Sequence, residues 1–154
     1  MTAQGVLNGI VFVAIFVGMS LGGADPARQL SAYMVFAVGT LGLVSALRHI
    51  VFAGSLTGEP GELGFANRKF FEWEAGFANL SFGVMALVTS LGGWGVPAMS
   101  SVAIGYAIYL LGASITHLIA GWKIGSMRRS LIYAAMTGLL IATGGFRVLP
   151  AWNF

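Results

Sequence analysis

The stretch FFEWEAGFANLSFGVMALVTSL, residues 70–91, combines a long apolar run with two carboxylates, Glu72 and Glu74, close to its start. The hydrocarbon core of a bilayer is roughly 30 Å thick and needs about 20 predominantly apolar residues per helix. This run has that length, and it does not alternate in polarity as a lipid-facing strand would. It therefore predicts a transmembrane helix, and it raises the question of why acids stand at its entrance.

The whole chain has the composition of a membrane protein. Hydrophobic residues make up 57% of its 154 positions and charged residues 8%, and the mean hydropathy is +0.86. A water-soluble fold would leave large apolar surfaces uncovered. The absence of cysteine excludes disulfides, thiolate metal sites and cysteine nucleophiles. The net charge of +3 comes from basic residues beside the apolar runs, which is typical of membrane flanks and argues against nucleic acid as a partner.

Five apolar runs follow one another along the chain, separated by Gly, Pro or charged residues. They predict an all-α, polytopic transmembrane bundle that forms a single integral membrane domain over residues 1–154. The predicted spans are at about residues 6–21, 30–52, 70–91, 98–119 and 131–146. The first of them is short for a span.

The distribution of Lys and Arg predicts an orientation. With five spans, one side of the bilayer carries Arg48, Arg68, Lys69, Lys123, Arg128 and Arg129, and the other carries Arg28 and Arg147. The positive-inside rule then puts the N-terminus in the cytoplasm and the C-terminus outside. In a bacterium the membrane would be the inner membrane.

The strongly polar side chains inside the span limits converge on the predicted cytoplasmic side. They lie at the ends of the second and fourth spans and at the start of the third, and they are Arg48, His49, Glu72, Glu74, Asn79 and His117. A charged group at the centre of a span costs about 2.5 to 3.5 kcal/mol, so such groups face the bundle interior and pair. Convergence is therefore expected on physical grounds whether or not the cluster is a site.

Helical geometry separates the two glutamates. At about 100° per residue, Glu72 shares a stripe with Gly76, Asn79 and Gly83, whereas Glu74 points about 200° away from Glu72. The glycines on the stripe allow a neighbouring helix to approach closely. Small residues beside one polar group are typical of helix packing inside a membrane bundle.

The second and fourth spans carry similar stripes. Gly42, Ser45 and His49 lie together on the second span, and Tyr106 shares a stripe with His117 on the fourth. A structural explanation also exists for the glutamates, because acids in the first turn of a helix interact favourably with its dipole by about 0.3 to 1 kcal/mol each. Arg68 and Lys69 stand nearby in the sequence as partners for Glu72.

Two segments carry a resemblance to a known family. EAGFANLSFGVMAL and the later AIGYAIYLLGASITHL, with a histidine before them near the end of an apolar span, resemble a bacterial membrane family known only as a domain of unknown function, number six-seven-nine-zero. The resemblance covers residues 35–120 approximately, and it implies a fold but no biochemical activity. The matching positions are Glu74, Gly76, Asn79, Gly83, Gly105, Gly112 and His117, and more loosely His49. Family members commonly have Gly-His where this chain has Thr116-His117, and a more distant likeness to DoxX-type small membrane proteins transfers no role.

Two classes of function remain open. The favoured interpretation is a packing or accessory protein, either a homo-oligomer or a subunit of a larger membrane complex, whose polar cluster closes the cytoplasmic end of the bundle. The alternative is a binder of a metal, haem, quinone or ion, or a proton relay, through His49, Glu74 and His117. Two imidazoles and a carboxylate suit a transition metal, and two histidines can ligate a haem iron.

The remaining candidate residues belong to the same cluster. Asn79 is a member of the candidate ligand set, and Arg48, Glu72 and Tyr106 hold supporting positions. Neither a Ser/His/Asp constellation nor a phosphate-binding loop is indicated, so a non-enzymatic role is favoured. The identity of a metal or cofactor, and of any partner besides the bilayer, stays open at the level of the sequence.

Overall fold

The computed structural model describes residues 3–52, 68–124 and 127–142, with side chains at 5–52, 71–119 and 131–142 except 133 and 140. Its elements are α1 (Ala3–Ser20), α2 (Pro26–Tyr33), a π-helical segment (Met34–Gly39), α3 (Thr40–Ile50), α4 (Arg68–Leu91), α5 (Val96–Ile124) and α6 (Met127–Ile141). The elements from α2 to α3 form one continuous helix, Pro26–Ile50, which we call the composite helix. The predicted all-α fold is confirmed, since every regular element over the described ranges is helical.

Each predicted span coincides with a helix. Three stretches are long and apolar enough to cross a membrane: the composite helix, Phe71–Leu91 of α4 and Val96–Ile119 of α5. The first helix has a shorter apolar stretch, Gly5–Ser20, in keeping with the short span that the sequence predicts. In the fifth span α6 covers 15 residues, and residues 143–146 of that prediction lie outside the described chain.

The composite helix begins earlier than its apolar run predicts. Asp25 caps it, because the side chain accepts hydrogen bonds from the backbone N–H groups of Ala27 and Arg28 at 2.9 and 3.4 Å, and Pro26 occupies the first helical turn. The preceding turn depends on Gly22, whose φ is +97° and whose Cβ, if present, would lie 2.4 Å from the Cα of Gln29. Only glycine fits that position without strain.

The chain divides into two compact units, Met1–Gly95 and Val96–Phe154, the N-terminal and C-terminal units. In the N-terminal unit, α1 and α4 both pack on the composite helix. Both helices pack on the π-helical segment. A Cβ added at Gly18 of α1 would lie 3.3 Å from the backbone nitrogen of Ala37, and one added at Gly39 would lie 3.0 Å from Cδ2 of Leu87 on α4. Met34 and Val38 within the segment are fully buried.

The C-terminal unit is built from α5 and α6, which pack against each other. Thr137 on α6 donates a hydrogen bond from Oγ1 to the carbonyl oxygen of Ala107 on α5 at 3.4 Å. The residues around that contact on α5, Ala103, Tyr106 and Leu110, are buried. This tertiary hydrogen bond thus marks a place where the two helices face each other.

Large apolar side chains are exposed on helices of both units. Phe12 and Phe16 on α1 are 72% and 74% exposed, and Ile108 on α5 and Leu131 on α6 are also largely exposed. Water-soluble monomers rarely present contiguous apolar surface of this kind. The exteriors of these helices are therefore suited to an apolar environment.

Candidate functional site

A hydrogen bond between a histidine and a glutamate joins the ends of two helices in the N-terminal unit. His49 lies in the last turn of α3 and Glu72 in the second turn of α4, and the imidazole Nδ1 is 2.6 Å from the carboxylate Oε2. The side chains are 26% and 13% exposed, respectively. An ionised carboxylate only accepts, so Nδ1 carries the proton and donates it. This contact is shorter than the 3.5 Å between Arg28 Nε and Asp25 Oδ2 on the composite helix.

Gly76 makes this geometry sterically accessible. It lies one turn after Glu72 on α4, and a Cβ at Gly76 would be 3.2 Å from the Cβ of His49 and 2.5 Å from the Cγ1 of Ile50. Any larger residue would push the end of the composite helix away from α4. The small residue therefore brings the imidazole within reach of the carboxylate.

A second polar contact at the same end involves α1. The Nη1 of Arg48 donates to the Oδ1 of Asn8 at 3.5 Å, which is the outer limit for a hydrogen bond. Arg48 is half-buried and Asn8 is exposed. All three helices of the N-terminal unit thus contribute a polar side chain to this end, which we call the His49 end.

The middle of the helix pair is a glycine crossing. A Cβ at Gly42 would lie 2.6 Å from the Cα of Gly83, and one at Gly83 would lie 3.0 Å from the backbone nitrogen of Leu43. Asn79, one turn before Gly83, is buried and donates from Nδ2 to the carbonyl oxygen of Ala75 at 2.7 Å. The two backbones are therefore in direct contact, with no space for a side chain between them.

The other end of the pair is held by two serines. The Oγ atoms of Ser31 and Ser90 are 2.6 Å apart, and Ser90 Oγ also donates to the carbonyl oxygen of Ser31 at 3.0 Å. Eighteen residues separate Ser31 from His49, and eighteen separate Glu72 from Ser90, which corresponds to about 27 Å at 1.5 Å per residue. The two polar contacts thus lie about one hydrocarbon thickness apart, since that thickness is roughly 30 Å.

Sequence reasoning did not identify the serine contact. Ser31 and Ser90 lie at the edges of apolar runs, and a hydroxyl there carries no pairing signal of its own. The sequence signal that could have indicated the contact is the equal spacing of Ser31 to His49 and of Glu72 to Ser90. It becomes informative only when the two helices are taken as antiparallel partners.

Comparison with known proteins identifies a family for the chain. The family of unknown function DUF6790 matches residues 5–145. The chain belongs to this family. No curated protein and no solved structure matches it, and the likeness to DoxX-type proteins is not shown.

The residues that carry the resemblance to DUF6790 lie on helices of both units. Glu74 is exposed on α4 and does not face His49 in the way Glu72 does. His117 lies on α5 in the C-terminal unit and is half-buried. Tyr106, on the same helix, is fully buried, with its ring stacked on that of Tyr109 at 6.1 Å between centroids. The residue that meets His49 is thus Glu72, which the sequence placed in a supporting position.

A metal site in this DUF6790 member would require several ligand side chains close together. Over residues 3–52, 68–124 and 127–142, no three His, Cys, Asp or Glu side chains are grouped so that they could hold a metal ion. What the N-terminal unit does contain is a two-residue pair, His49 and Glu72. A carboxylate on Nδ1 fixes the tautomer and orientation of an imidazole and directs its Nε2 outward.

Proposed function

We propose that the protein is an integral membrane protein that acts as a packing or accessory subunit, in a larger membrane assembly or in a homo-oligomer. The observation that carries the proposal is the helix pair of the composite helix and α4. Polar side chains at both of its ends bond to each other, and glycines bring its backbones together in the middle. Such a pair is a rigid element whose polar groups are used for helix association.

The membrane location is supported by length, surface and charge. Three helices are long and apolar enough to span a bilayer, and their exposed side chains include many large apolar groups. The His49 and Ser31 ends are separated by about the thickness of the hydrocarbon core. Charged residues at those ends would lie at the headgroup level, where their cost is small.

The proposed orientation has the N-terminus in the cytoplasm and the C-terminus outside, in a bacterial inner membrane. It rests on six basic residues predicted on one side against two on the other. Arg48 and the start of α4 at Arg68 both belong to the His49 end. The His49 end is therefore proposed to face the cytoplasm.

An accessory role is tested by the mass of the solubilised protein. The tagged chain is extracted from membranes of cells that make it, in a mild detergent, and its mass is measured by native gel and by multi-angle light scattering. We expect a particle that exceeds the 16.1 kDa chain plus its detergent, and co-purification of two differently tagged copies if the assembly is a homo-oligomer. A monomer that forms no cross-linked adduct in intact membranes would contradict the proposal.

A second candidate function is favoured by the His49–Glu72 contact. The hydrogen bond at Nδ1 orients the imidazole, so that in the neutral ring the lone pair of Nε2 is offered to a metal or a haem iron. A quinone carbonyl needs a donor, and Nε2 supplies one only when the ring is an imidazolium. Glu72 then takes the supporting role, while the parts of Glu74 and His117 as ligands stay predictions from the sequence. An optical spectrum and a metal assay of the purified protein test the metal and haem forms of this candidate: absorbance or metal that is lost in His49→Ala would support it, and a colourless, metal-free preparation would remove those forms.

A further inference from the structure

Arg48 is a partly buried cation with little compensation. Its guanidinium has five N–H donors, and Nη1 makes one long contact, 3.5 Å to Asn8 Oδ1. Within the described ranges, carboxylates lie within pairing distance of Arg28 and of His49, and none is paired with Arg48. A guanidinium with free N–H donors at the edge of a bilayer binds the anionic oxygens of a partner favourably.

The nearest acids on the neighbouring helix do not supply that partner. Glu72 is held by His49 at 2.6 Å. Glu74 is exposed on a different face of α4. The His49 end therefore has a cation that is not paired with a carboxylate of the described residues.

The surface next to Arg48 is apolar and open. Asn8, the contact of Arg48 on α1, is followed by Gly9, where an added Cβ would meet nothing within 4 Å. Phe12 and Phe16 continue the same face of α1 and are among the most exposed apolar side chains. A cation at a helix end beside an open apolar face suits a molecule with an anionic head and a long apolar tail.

We propose that Arg48, with Asn8 beside it, binds the phosphate of an anionic phospholipid whose acyl chain lies along Gly9, Phe12 and Phe16 of α1. The inference rests on the membrane location proposed above. The planar fork of a guanidinium matches two phosphate oxygens, which an ammonium does not. The position of Arg48, two residues before the end of the composite helix, puts it at the level of the headgroups.

The test measures lipid retention by the purified full chain. Wild-type protein is exchanged into equal amounts of phosphatidylglycerol and phosphatidylcholine, and the lipids that remain bound are counted by native mass spectrometry. Arg48→Gln removes the charge, and Arg28→Gln is the matched control because Arg28 lies in the same composite helix, at its other end, and is already paired with Asp25 at 3.5 Å. We expect wild type to prefer phosphatidylglycerol, Arg48→Gln to retain about fivefold less of it, and Arg28→Gln to behave as wild type.

Several results would overturn the inference. Arg48→Gln that retains as much phosphatidylglycerol as wild type, or wild type that holds both lipids equally, would remove the site. Full displacement of the lipid by inorganic phosphate would show a site for soluble phosphate in its place. If Arg48→Gln does not fold, wild-type protein is cross-linked with phosphatidylglycerol that carries a diazirine in its headgroup. Adducts on peptides with Asn8 or Arg48 support the site, and adducts only elsewhere refute it.

The membrane location has its own control. Membranes that contain the wild-type chain are washed at alkaline pH before extraction. A chain that washes off the bilayer contradicts the membrane location itself. A chain that stays inserted, yet shows no lipid retention that depends on Arg48, contradicts only the phospholipid site.

Discussion

At the scale of the residue, the two glutamates of α4 are expected to behave differently. Glu72→Ala leaves the part-buried Nδ1 of His49 without its acceptor, and we expect a loss of about 1 to 3 kcal/mol in the free energy of unfolding. Glu74→Ala removes an exposed side chain and should change that free energy by less than about 0.5 kcal/mol. Reversible unfolding in mixed micelles measures both.

A double-mutant cycle separates the pair from other effects of truncation. His49→Ala combined with Glu72→Ala should cost less than the sum of the two single changes, because the second change removes a group that has already lost its partner. The same cycle with Glu74→Ala should be additive. Additive costs for His49 and Glu72 would show that the 2.6 Å contact does not stabilise the fold.

Sequence reasoning reached this site in part. The helical period put Glu72 on one stripe with Gly76, Asn79 and Gly83, and in the structure these three residues are buried against the composite helix. The family resemblance emphasised Glu74, which is exposed. The pairing of His49 with Glu72 depends on the relative height and rotation of two helices, and a local pattern does not contain that information.

At the scale of the element, a glycine-to-alanine change is expected to lower stability at the glycine crossing and to leave it equal or higher on α5. Gly42→Ala puts a Cβ 2.6 Å from the Cα of Gly83, so the helices must separate, and we expect destabilisation by about 1 to 3 kcal/mol. Gly112→Ala on α5 meets nothing within 4 Å. It should be neutral or stabilising, because alanine favours a helix over glycine by about 0.8 to 1 kcal/mol. Equal effects of the two changes on thermal unfolding would contradict the crossing.

The serine contact at the other end of the pair is expected to be weaker but specific. Interhelical hydrogen bonds in membranes average about 0.6 kcal/mol and reach about 1.7 kcal/mol. Ser31→Ala and Ser90→Ala should therefore show a coupling energy in this range, since their Oγ atoms are 2.6 Å apart. Ser81, whose Oγ bonds the carbonyl of Phe77 in its own helix at 2.8 Å, is the matched control, and Ser31→Ala with Ser81→Ala should show no coupling.

The elements themselves were largely predictable, because continuous apolar runs of membrane length specify helices. The helix boundaries were less predictable. The composite helix starts at Pro26 because Asp25 caps it, whereas hydropathy indicates a start near residue 30. The π-helical segment Met34–Gly39 was not predicted. Its residues are as apolar as those around them, so the hydropathy pattern does not distinguish a π-helical turn from an α-helical one.

At the scale of the whole molecule, one integral membrane domain over residues 1–154 stays a prediction of the sequence. Each of the two compact units, Met1–Gly95 and Val96–Phe154, packs within itself. Composition and hydropathy predict the all-α class correctly, because each is averaged over many residues and a few atypical residues do not change the result. Contacts such as that of Ser31 with Ser90 involve single atoms fifty-nine residues apart in the chain. Their prediction requires the helix arrangement first, which explains why the fold class was reached and the contacts were not.

The orientation of the whole molecule can be tested with cysteine, because the natural chain has none. Val51 and Trp94 are exposed just beyond the two ends of the helix pair, and Phe77 is exposed within α4. If the pair spans the membrane with the His49 end inside, a membrane-impermeant maleimide should label Trp94→Cys in intact cells. Val51→Cys should react only after permeabilisation, and Phe77→Cys should stay unlabelled because its thiol lies in hydrocarbon. Reversed labelling of Val51→Cys and Trp94→Cys would show the opposite orientation. Rapid labelling of Phe77→Cys would contradict a spanning α4, because the exposed face of the helix would then be in contact with water and not with lipid.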